Sequence, residues 1–126
     1  MITGKETNTV YFSEKLRSDE RFTKTCNTLT TLLEKHSIKY GFLKATKDIW
    51  CRDYMPIQTD KGKFIQFRYE PSYLKDEPEF QTDPKEVCKA NNINPLFSRI
   101  NLDGGNVVNW SDRAIITDRV FDENPD

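Results

Sequence analysis

The order of elements legible in this sequence predicts an α/β fold made of about two helix, strand and hairpin units. Two observations carry that expectation. Apolar residues recur at helical spacing in one stretch and a capped start announces a second helix, and each is followed by a β-favouring run, an acidic motif and a hairpin pattern. The acids of the two cycles, Asp53 and Asp103, lie fifty residues apart, a period that suits propeller-like arrays. Two copies do not close a ring.

The elements follow in chain order. Val10-Tyr11-Phe12 is a short β-favouring run. Phe22, Cys26, Leu29, Leu32 and Leu33 then mark one apolar face of a helix that should end near His36-Ser37. The aromatic and β-branched run Ile38 to Leu43 reads as a strand leading into Trp50-Cys51-Arg52-Asp53-Tyr54-Met55-Pro56. Met55 to Thr59 and Lys63 to Tyr69 flank Asp60-Lys61-Gly62, a turn whose glycine tolerates positive φ, which predicts a hairpin. Residues 70–82, rich in Pro, Asp and Glu, read as a surface connection. Asp83-Pro84-Lys85-Glu86 supplies an N-cap acid, a proline at the first helical position and a glutamate at the third, predicting a helix through about Asn91. Ser98 to Leu102 then runs into Asp103-Gly104-Gly105-Asn106. Val107-Val108 and Ala114 to Thr117, flanking residues 109–113, predict a second hairpin.

Composition narrows the function. The 126 residues suit one domain, 1–126, with a real core. Charged residues make up 31% and mean hydropathy is -0.76, so apolar residues must be used economically. Nineteen basic against twenty acidic residues give a net charge of -1 without a polybasic block, which disfavours nucleic acid as a partner. No apolar run approaches a bilayer span and no hydrophobic signal core opens the chain, so no membrane partner and a cytoplasmic location are expected. Cys26, Cys51 and Cys88 form no C-x-x-C pair, which argues for reduced thiols and against a metal site.

Trp50-Cys51-Arg52-Asp53-Tyr54-Met55-Pro56 resembles the W-x-R-D-x-x-P motif of agmatine deiminases and bacterial peptidylarginine deiminases. Leu102-Asp103-Gly104-Gly105-Asn106-Val107 resembles the later E-G-G-N/S or D-G-G-N segment of that family, in the right order. The resemblance implies the pentein fold, here an incomplete pentein-type α/β propeller. It also implies C–N hydrolysis of a guanidinium, releasing ammonia, with agmatine, arginine or peptidylarginine as the substrate class and no cofactor. A guanidinium is planar and cationic, so one carboxylate can accept two parallel N–H bonds from it. The resemblance gives that role to Asp53, a stacking role to Trp50 and a supporting catalytic place to Asp103.

The family's general base is a histidine in an H-x-D motif beyond the G-G-N segment, and its nucleophile is a cysteine near the C-terminus. This sequence has neither motif. His36, its one histidine, precedes both matching segments. The chain is therefore expected to be the N-terminal part of such an enzyme and inactive alone, with the missing C-terminal part or self-association as its partner. The alternative is a non-catalytic pentein-derived binding module. From the residues alone, Asp53 beside Arg52 reads as a local ion pair, Asp103-Gly104-Gly105 as a turn with glycines at positive φ, and Arg68 as a solvated strand arginine.

Overall fold

A computed structural model describes residues 6–110 and 112–125. It is a mixed α/β structure whose strands form three small sheets. Strand β1 (Thr9–Ser13) lies parallel to β2 (Lys39–Leu43), and the connection between them contains α1 (Lys15–Ser18), a 3-10 turn at Glu20–Phe22 and α2 (Thr23–Lys35). Helix α3 (Cys51–Tyr54) follows β2. The hairpin of β3 (Ile57–Asp60) and β4 (Lys63–Arg68) comes next, and α4 (Pro84–Ala90) leads to β5 (Leu96–Asn101), which pairs parallel with β4. A second hairpin of β6 (Val107–Trp110) and β7 (Arg113–Ile116) precedes α5 (Arg119–Asp122). The sheets hold two, three and two strands, and none closes into a barrel or propeller among the described residues.

The repeat read from element order takes physical form here. Each parallel pair, β1 with β2 and β4 with β5, is joined through a helix, as parallel strands require. Each is followed by an acid and then by a hairpin. The first turn uses Gly62 at φ 72, as its residues predict. At α4, Asp83 Oδ1 accepts from Lys85 N at 2.8 Å, while Pro84 has no N–H to satisfy.

Several expectations need correction. The Trp50 motif, read as the link from a strand at Ile38 to Leu43 into a hairpin starting at Met55, contains the one-turn helix α3, and the hairpin begins only at Ile57. The apolar face of α2 is only partly covered: Cys26 is buried, but Leu32 is exposed, because α2 packs on a sheet of only two strands. The connection 70–82 is less superficial than its composition suggests. Pro71 and Thr82 are buried, and the Thr82 hydroxyl accepts from Lys47 N at 3.0 Å.

One core cluster joins Leu43, Tyr54, Tyr69 and Val87, tying β2, α3 and α4 together. A second joins Ile57, Leu102 and Val107, locking the first hairpin to the start of the second. The two acidic motifs therefore sit where both clusters meet the surface. No helix among the described residues is long and apolar enough to cross a membrane.

Candidate functional site

The two motifs dock directly on one another. Arg52 Nη2 donates to the Val107 carbonyl at 2.6 Å, bridging α3 to the first residue of β6. Gly105 N–H donates to the Asp53 carboxylate. A Cβ at Gly104 would run into the Arg52 carbonyl oxygen, and one at Gly105 would run into Asp53 Oδ1. Neither glycine has a positive φ; among the described glycines only Gly62 does. The expectation of a left-handed turn at Gly104-Gly105 is thus corrected. Glycine stands there because backbone and carboxylate approach too closely for any side chain.

The local ion pair expected of Asp53 and Arg52 does not form. The guanidinium is committed to Val107 O, and its charge only eases the ionisation of Asp53 from nearby. Burial raises the Asp53 pKa above its ordinary value, while the Gly105 N–H and Arg52 pull the other way. The result is a half-buried carboxylate held by a backbone N–H and not neutralised by a salt bridge. Asp103 is also half-buried and accepts from the Tyr73 hydroxyl at 3.1 Å. Its pKa is raised by burial, against the lowering effect of the Tyr73 bond, and is raised further by the negative charge of Asp53. The two acids lie close enough to repel each other.

Two contributors escaped the sequence reading. Asp48 Oδ1 accepts from Trp50 N at 2.7 Å, which orients the start of α3, and burial followed by Asp53 raises its own pKa despite that bond. The Asp-x-Trp spacing of an Asx turn was the available signal. Tyr73, in the supposed surface connection, had none. Its pKa is pushed up to about 12 by burial, with Asp103 contributing, and the Tyr69 phenol interacts with its hydroxyl.

Trp50 caps α3 and is 66% exposed, with no ring contact among the described residues, so its indole lies at the surface rather than in the core. Asp103 lines a pit of about 10 Å³ with Asn106, Arg119 and Glu123, which Asp53 and Trp50 do not reach. A cleft of about 770 Å³ lies elsewhere, between β4, β5 and the start of α4, and none of the three expected site residues lines it.

The remaining assignments hold simple places. His36 is the exposed C-cap of α2. Cys26 and Cys88 are buried, Cys51 is half-buried, and all three are free thiols. Burial lifts the Cys88 thiol to about 11 and raises that of Cys51, so neither is poised as a thiolate. Arg68 is half-exposed, with Glu70 3.7 Å from its Nε. Among the described residues no group of His, Cys, Asp and Glu is arranged to hold a metal ion. No family model matches the chain, and no curated protein matches it significantly.

Proposed function

We propose that this chain binds a guanidinium group through Asp53, as the substrate-recognising part of a guanidine deiminase. The observation that carries the reading is the state of Asp53: half-buried, oriented by Gly105 N–H and left without a salt bridge although Arg52 is adjacent. A carboxylate so placed has acceptor capacity for a planar cation, and a cation there would offset the repulsion among Asp48, Asp53 and Asp103. Trp50, exposed at the head of α3, offers a face for stacking worth roughly 0.5 to 2 kcal/mol. Asp103 supports the arrangement through its repulsion with Asp53 and its bond to Tyr73.

In this reading the three small sheets are successive portions of an incomplete pentein-type propeller, and the agmatine or arginine site is completed by a segment with H-x-D and cysteine motifs. Attack of that cysteine on the guanidinium carbon, loss of ammonia and hydrolysis of the covalent intermediate would then follow. Without those groups, the chain alone releases no ammonia from agmatine or arginine. Supplying the completing segment by fusion should restore activity. Asp53→Asn should then lower kcat/KM by at least about 30-fold, or about 2 kcal/mol. Full activity of the completed Asp53→Asn enzyme, or ammonia release by the chain alone, overturns the assignment.

A further inference from the structure

The 770 Å³ cleft away from the acids has the opposite electrostatic character. Lys47, Arg68, Lys85 and Arg99 line it, against Glu70 and Asp83. The two acids have partners: Glu70 lies beside Arg68, and Asp83 caps α4 through Lys85 N. Two of the cations are uncommitted. The Arg99 side chain makes no hydrogen bond or ion pair among the described residues, and the Lys85 ammonium has only the Phe97 ring, 5.8 Å from its centroid. The Phe97 ring is itself 53% exposed. In a chain of net charge -1, this gathers cations from the loop after β2, from β4, from α4 and from β5 around one hollow.

The dimensions and chemistry select a ligand class. A hollow of this size lies within the range of about 300 to 1,000 Å³ usual for small-molecule sites, and an inorganic anion would leave most of it empty. Arginine and lysine bind phosphate oxygens through charge-assisted hydrogen bonds, and an exposed aromatic face accepts a flat ring. We propose that this cleft binds a small organophosphate, its flat apolar part stacked on Phe97 and its phosphate held by Lys85 and Arg99. Lys47 and Arg68 complete the positive field. The site is separate from Asp53 and stands or falls independently of the guanidinium reading.

The test is an amide NMR titration of the full chain with adenosine monophosphate as the probe, beside adenosine and inorganic phosphate. The nucleotide should give saturable shifts confined to residue 47 and residues 66–70, 78, 81–85 and 97–99 with their neighbours, with a Kd below about 1 mM. Adenosine and inorganic phosphate should each bind at least about tenfold more weakly, since each lacks one half of the recognition. Lys85→Glu combined with Arg99→Glu should weaken the nucleotide by at least about tenfold, whereas Lys63→Glu at the β3–β4 turn should not. Both altered residues in the double variant are exposed, and a dispersed spectrum verifies its fold. No shifts up to about 5 mM nucleotide, adenosine binding equal to the nucleotide, or undiminished binding by the double variant overturns the proposal.

Discussion

The contact between the two motifs predicts different outcomes for two adjacent glycines. Alanine at position 104 would drive its Cβ into the Arg52 carbonyl, with Arg52 C and Met55 O at 3.4 and 3.5 Å behind it. These are backbone atoms in and beside α3, which Tyr54 anchors in the core, so they yield only by shifting the helix. Overpacking of this kind costs about 2 to 3 kcal/mol. At about 4 °C per kcal/mol, Gly104→Ala should lower Tm by roughly 8 to 12 °C.

Alanine at position 105 meets Asp53 Oδ1 instead, the end of a side chain that can rotate away. The cost is then the charge-assisted bond from Gly105 N–H, about 1.5 to 3 kcal/mol. Reduced freedom of the unfolded chain returns about 0.4 to 1 kcal/mol, since the glycine is not at positive φ. A net loss of about 0.5 to 2.6 kcal/mol should therefore leave Gly105→Ala folded with its acid misdirected. Paired thermal melts and an NMR pH titration separate the two effects. In the parent, the residue-105 amide proton should follow Asp53 ionisation, and in Gly105→Ala it should not. Equal Tm losses for the two variants, or an alanine amide that still tracks the acid, would refute the packing argument.

Two further outcomes follow from burial and charge. The second hairpin leaves Val108, Ile115 and Ile116 exposed, at 54%, 60% and 44%, Phe121 of the following α5 is exposed at 75%, and the hairpin's sheet has only two strands, so the chain should self-associate. Sedimentation should show Ile115→Lys reducing that association; a parent monomeric at high concentration would contradict it. Burial raises the native pKa of Asp103 above its ordinary 3.8, so the native state keeps a proton that the unfolded chain has released. Its contribution to stability is therefore full below 3.8 and is lost as pH rises through the raised native value. Asp103→Asn should thus be more favourable to stability, relative to the parent, at about pH 7 than at about pH 3 in urea titrations. A pH-independent difference would show that burial does not tax this charge.

What could be read in advance divides along physical lines. Local signals were sufficient for α4, where a capping acid and a proline specify the start, and for the β3–β4 turn, where Gly62 does. They also located the four strands of the two parallel pairs, although no local signal says which strands pair. One-turn helices such as α3 and α5 bury too few residues to leave a periodic trace, and both escaped notice. The roles of Gly104 and Gly105 were misjudged because a glycine needed for close approach and one needed for positive φ look identical in one sequence. Trp50, Asp53 and Asp103 were singled out through resemblance to a family pattern, whereas Tyr73 reaches Asp103 from thirty residues away and depends entirely on tertiary folding.

The arrangement of acids makes most sense as a cost to the free chain. Burial disfavours the charged form of Asp48, Asp53 and Asp103, and Asp53 adds repulsion to each of the other two. Arg52, the nearest cation, is turned to Val107 O, where it clamps the second motif instead of neutralising the first. A sequence selected only for stability would replace one of the acids by an amide or release Arg52 to pair with it. Asp53→Asn keeps an oxygen to accept Gly105 N–H and removes the buried charge, so it should be neutral or stabilising in the free chain. Under the proposed guanidinium reading, the same change should weaken recognition of the cation by at least about 30-fold. Opposed effects of one substitution on stability and on binding are what a site maintained for a cation requires, whereas a purely structural acid would lose stability when altered.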